Sequence, residues 1–141
     1  MTVNNIAKVG FNSNNDNYEN FRPDYPKEVI SEIKNHISDN KINNKVNVLE
    51  LGSGTGKFSK LLLNEFDENE LGQLYAVEPS DGMRDGFTKN INDNRAICLK
   101  GDFENIPVDN ATVDIIIIAQ AYHWWEIPCI NNDIYKQYVL L

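Results

Sequence analysis

The chain has 141 residues, 41% of them hydrophobic, which suits a single domain with one modest core. Lys and Arg total 13 against 21 Asp and Glu, a formal charge of −8, which argues against a nucleic-acid backbone as the main partner because such binding rests on a basic footprint. Two distant cysteines (Cys98, Cys129) and two histidines (His36, His123) make neither a disulfide framework nor a zinc pattern, and the longest purely apolar run, Ile115 to Ala119, falls far short of a membrane span.

No metal and no membrane partner is therefore expected. The N-terminus, Met1-Thr-Val-Asn-Asn, lacks the charged-then-apolar pattern of a secretory signal, so a soluble, cytoplasmic protein is the expectation. Residues 1–17 are polar and Asn-rich and cannot bury enough apolar surface to offset their ordering entropy, so they read as a flexible arm.

Order is expected from Tyr18 onward. Pro26 suits the first turn of a helix in which Val29, Ile30, Ile33 and Ile37 follow at helical spacing. Asn43-Asn44 marks a turn, and Val46 to Leu51 is a short apolar strand that runs into Gly52-Ser-Gly-Thr-Gly56. Phe58, Leu61, Leu62 and Phe66 trace one face of a second helix. Gln73 to Val77 reads as a strand ending at Glu78-Pro79. Ser80 is placed to cap a third helix carrying Met83, Phe87 and Ile91 on one face. Ala96 to Leu99 is a third strand and Val113 to Ala119 a fourth, its isoleucine run suited to burial on both faces. Asn131 to Leu141 is expected to begin one more helix. This order predicts an α/β fold built on a parallel sheet with right-handed crossovers, in which ligands bind beyond the carboxyl ends of the strands.

The chemistry-bearing residues fall at those ends. In Glu50-Leu-Gly52-Ser53-Gly54-Thr-Gly56 the glycines allow a sharp turn and a close approach of backbone to ligand, although an ordinary strand-to-helix turn has the same composition. The spacing excludes two familiar loops. A dinucleotide fingerprint requires Gly where Lys57 stands, and a P-loop requires Ser or Thr where Phe58 stands and Gly where Leu51 stands. Glu50, at the end of a buried strand, either escapes to solvent or faces a cationic group such as an ammonium. Glu78, ending the next strand, is either an exposed acid before Pro79 or an acceptor for both hydroxyls of an unphosphorylated ribose. After the third strand, Asp102 is a turn residue or an acceptor for the exocyclic amine of adenine, with the Phe103 N–H placed to bond a ring nitrogen. Met83 is a core residue or a polarizable face for the base. His123, before Trp124 and Trp125, is a base or orienting group on one reading and a hydrogen-bonded residue at a helix start on the other.

Leu49-Glu-Leu-Gly-Ser-Gly-Thr-Gly56, Val77-Glu-Pro79, Gly101-Asp102 with Ile106-Pro107, and Asp114 to Ile118 resemble, in order and spacing, the motifs of class I S-adenosylmethionine (SAM)-dependent methyltransferases. More narrowly, Tyr18-Glu-Asn-Phe-Arg-Pro-Asp-Tyr-Pro26 and Ala119-Gln-Ala-Tyr-His-Trp-Trp125 look like the branch that includes trans-aconitate methyltransferase-like fungal proteins. The resemblance spans roughly residues 18 to 125. It implies a Rossmann-like sheet of order 3-2-1-4 and S-adenosylmethionine as cofactor. Glu50 and Gly52, Ser53, Gly54 and Gly56 would hold its methionine part, Glu78 the ribose, and Asp102 the adenine. Gln120 and Ala121 would lie beside the sulfonium, and Tyr18, Arg22 and Tyr25 would belong to an N-terminal cover. Methyl transfer to a small, carboxylate-bearing metabolite is the activity implied.

Relatives continue past the fourth strand with a helix, a fifth strand and an antiparallel pair, so residues 18–141 are expected to form a partial domain lacking those last strands. That leaves the isoleucine-rich strand as an exposed edge, open to self-association. A truncated, non-catalytic remnant, binding the cofactor weakly or acting through that edge, is the alternative to an active enzyme.

Overall fold

The structure is a computed structural model and describes residues 24–39, 44–119 and 137–140. The Asn-rich segment at residues 1–17 lies outside them. Helix α1 spans Glu28–Asp39 and buries Ile30 and Ile33, two of the four apolar residues that define its expected face. Strand β1 covers Val46–Leu51, as its apolar run predicts. Helix α2 follows at Lys57–Glu65, and strand β2 runs over Leu71–Glu78, beginning two residues before the expected Gln73. Helix α3, Asp81–Asn90, starts at the predicted cap, where Ser80 Oγ accepts a hydrogen bond from Met83 N. Strands β3 (Ala96–Lys100), β4 (Ile115–Ile118) and β5 (Gln137–Leu140) are the others among the described residues.

All pairings are parallel, and the sheet order is β3-β2-β1-β4-β5. The expected 3-2-1-4 order is present, extended by one strand. Two expectations are thereby corrected. The last residues of the chain do not continue a helix, since Gln137–Leu140 forms a strand. Nor is β4 an exposed edge, because its register runs from Ile115↔Gln137 to Ile118↔Leu140 on one side and against β1 on the other. The edge on which self-association through β4 would rest is occupied. A strand of four fully buried isoleucines has no solvent for its backbone groups, so both flanks must be paired.

Alternation along the strands sends side chains to two cores. Val48, Leu74, Ile115 and Ile117 face α1 and α2, where Ile33, Phe58 and Leu62 cover them. Leu49, Leu51, Ile116 and Ile118 face the opposite side, where Phe103 and Val113 of the β3–β4 connection close over them. Both β1 faces are thus buried. The chain builds outward from β1 through β2 to β3, then returns to place β4 on the other flank. The reversal between β1 and β4 is the place where sheets of this kind open a ligand crevice. Among the described residues no helix is long and apolar enough to cross a membrane.

Candidate functional site

The turn between β1 and α2 is made by three glycines with positive φ, Gly52 at 72°, Gly54 at 58° and Gly56 at 87°. Its entry is pinned to the neighbouring strand, since Gly52 N and Ser53 N both donate to Val77 O, at 2.8 and 3.2 Å. Gly56 is doubly constrained. Besides its left-handed φ, a Cβ there would lie 2.8 Å from the Phe87 ring and 3.0 Å from Ile91 of the α3 cap. Gly56→Ala is expected to cost about 2–4 kcal/mol, combining left-handed strain with an overpacked contact, measurable by urea unfolding. Ser53 Oγ is buried in this loop and has no hydrogen-bond partner among the described residues.

Two carboxylates flank the loop. Glu50 is 2% exposed, and Ser59 Oγ, in the first turn of α2, donates to its Oε2. Burial raises the Glu50 carboxyl to about 8, with the Ser59 bond opposing the rise and the charge of Glu78 adding to it. The escape of this side chain to solvent does not occur. Glu78 is 7% exposed, so its reading as an exposed acid also fails. Its Oε2 accepts from Gly54 N at 2.9 Å and its Oε1 from Ser80 N at 2.9 Å. Burial raises its carboxyl, while those two N–H groups and the nearby Arg84 charge pull it down. A carboxylate has about four acceptor positions, so two backbone donors leave capacity for a pair of hydroxyls.

Beyond β3 the chain forms a compact loop. Asp102 Oδ1 accepts from Glu104 N at 3.0 Å, Asn105 N at 2.9 Å and Asn105 Nδ2 at 3.3 Å, so its turn role is realised. Gly101 permits this closure, because a Cβ there would lie 2.6 Å from both Asn105 O and Pro107 Cδ. The loop and Pro79 line a cleft of about 510 Å³ with Lys100, Asp102, Ile106 and Pro107 on its walls. Met83 and Phe103, at 3% and 7% exposure, are buried residues and do not line it. For Met83 the core reading therefore holds in this structure.

The glycine loop, Glu50 and Glu78 are thus brought together, with Asp102 one strand further along. Tyr18, Arg22, Gln120, Ala121, His123, Trp124 and Trp125 lie outside the described residues. Tyr25 packs edge-on against Phe58, ring centroids 4.9 Å apart, which is a packing role. Sequence reasoning missed Ser59, although its place beside Phe58 on the face that buries Leu62 and Leu63 marks a polar group among apolar ones. It also missed Arg84, which carries no local signal.

Residues 49–135, well over half of the chain, match the family model for a methyltransferase domain. The chain belongs to that family. The methyltransferase domain is 27% identical over 133 residues to a malonyl-[acyl-carrier protein] O-methyltransferase of Priestia megaterium, covering 94% of this chain and 47% of the relative. It is 35% identical over 107 residues to an uncharacterized methyltransferase of Mycobacterium bovis, covering 76% of this chain and 38% of that one. The chain therefore spans half or less of the length of these curated relatives. In fold it is similar to a SAM-dependent methyltransferase from Aquifex aeolicus, with a TM-score of 0.53 at 20% identity over 70% of this chain and 59% of that one. S-adenosylmethionine is the cofactor expected of such a domain.

Proposed function

We propose that this methyltransferase domain binds S-adenosylmethionine and directs methyl transfer to a small, carboxylate-bearing metabolite. The observation that carries the cofactor reading is the pair of buried acids at the ends of β1 and β2 with a positive-φ glycine loop between them. The residues fit the group. Glu50 is a buried carboxylate held by the neutral hydroxyl of Ser59, and an ammonium is the ligand group that would offset its desolvation. Ser53 Oγ is a buried hydroxyl still requiring a partner. Glu78 retains acceptor positions for vicinal hydroxyls, and the cleft beside Pro79 and Asp102 has room for a planar base.

When bound, S-adenosylmethionine supplies an already activated methyl group, so positioning and exclusion of water can carry much of the acceleration. The chain's contribution is then to hold and orient. Glu50 anchors the cationic end, the Gly52–Gly56 backbone lets the ligand lie against the strand ends, and Glu78 fixes the sugar. A carboxylate acceptor arrives without a proton to remove, so this reading requires no general base. A carboxylate acceptor is supported by the Priestia relative, whose name specifies a malonyl group carried on acyl-carrier protein, and a small one by the resemblance of the 18–26 and 119–125 segments to the trans-aconitate branch.

Calorimetric titration with S-adenosylhomocysteine, followed by transfer of labelled methyl to a pool of carboxylic acids, tests both parts. Saturable one-to-one binding and label in a base-labile methyl ester are expected. No binding would end the cofactor reading. Binding with label appearing only on amines or thiols would end the acceptor assignment.

A further inference from the structure

Arg84, the fourth residue of α3, reaches back to the end of β2. Its Nη1 donates to Glu78 O at 2.7 Å and to Pro79 O at 2.9 Å, and its Nη2 pairs with Asp81. The side chain is 16% exposed, so this fork is held in a largely dry place. Three groups therefore converge on a two-residue segment. Arg84 grips its carbonyls, while Gly54 N and Ser80 N bond the carboxylate that it carries. A planar guanidinium can bridge adjacent carbonyls in a way that a lysine ammonium does not reproduce.

We propose that Arg84 is a positioning residue of the cofactor site, clamping the Glu78–Pro79 carbonyls and setting a shielded positive charge beside the Glu78 carboxylate, which it holds aimed at the loop. The proposal rests on the cofactor reading given above. The electrostatic surroundings of Glu78 are Glu50 from β1, Lys100 and Cys98 from β3, and Asp81 with Arg84 from α3. The charge of Glu78 raises the Glu50 carboxyl. Lys100 is its register partner, but that ammonium is 70% exposed and pairs with Asp81, so its field is screened. Arg84 is the cation held close and shielded from water. Its charge counters the burial of Glu78, which works in the opposite direction.

The test compares wild type with Arg84→Met and Arg84→Lys. The Glu78 carboxyl is titrated by carbon-detected NMR without ligand, and S-adenosylhomocysteine affinity is measured by calorimetry from acid to neutral pH. In Arg84→Met the Glu78 titration is expected to move upward, because the charge that counters burial is gone, and affinity to fall severalfold at pH values between the two midpoints. Arg84→Lys retains the charge and is expected to titrate near wild type, with shifted carbonyl resonances at Glu78 and Pro79 and weaker binding. An unmoved Glu78 titration with an unchanged pH profile in Arg84→Met overturns the assignment. Should that variant fail to fold, Arg84→Lys decides, because wild-type affinity together with wild-type carbonyl resonances would overturn it equally. Absence of binding by the wild type would strike the cofactor reading instead, while the ligand-free titration still decides what Arg84 does.

Discussion

Glu50→Gln is expected to make the domain more stable in alkali and to bind its cofactor less well. The sign follows from the folded-state titration. The Glu50 carboxyl rises from 4.5 to about 8, first by burial, with the Ser59 bond pulling it down and Glu78 pushing it up. A carboxyl with a raised folded value favours the fold while protonated. Its contribution is complete below the unfolded value and is lost as pH climbs toward about 8, at about 1.4 kcal/mol for each pH unit. Glutamine keeps the shape and an acceptor for Ser59 Oγ and carries no charge. The stability difference between variant and wild type should therefore be small in acid and grow across this window, as read by urea unfolding at a series of pH values. Parallel curves would show that Glu50 is solvated after all. Binding should move the other way. An amide replaces a carboxylate opposite an ammonium, and losing one hydrogen bond of charged type is worth about 10- to 100-fold in affinity for S-adenosylhomocysteine.

Glu78→Ala is expected to produce the largest functional loss with a modest structural one. Two ribose hydroxyls lose a common ionised acceptor, so affinity should fall by about 100-fold or more. Gly54 N and Ser80 N lose their acceptor as well, which costs stability. Against this, the variant no longer buries a carboxylate whose desolvation already raises its titration. The two effects oppose each other, and the net change in unfolding free energy should stay within about 2 kcal/mol. Calorimetric titration and urea unfolding on the same sample separate them. Wild-type affinity in this variant would remove the ribose assignment for Glu78, however the stability changed.

The parts of this fold that were legible in the sequence are those set by local chemistry. Val46–Leu51 announces itself as an apolar run ending at glycines, and it forms the strand with those bounds. Ser80 announces a helix start, and its hydroxyl takes the Met83 N–H as a cap should. The isoleucines at 115–118 announce burial on both faces, and all four are fully buried. The final strand was not legible in this way. Gln137–Leu140 is too short to display a period of its own, and its pairing with β4 answers a demand made by a strand far earlier in the chain.

The site divides along the same line. Residue types and spacing determine that a glycine bend stands between two acids, because φ preference and strand periodicity act over a few residues. Which acid is exposed, what each one touches and how readily it holds a proton are decided only when α2, α3 and β2 close around β1. Desolvation depends on what surrounds a carboxyl in space. Ser59 meets Glu50, Arg84 reaches back to the end of β2, and Asp102 spends its Oδ1 on its own loop through folding alone.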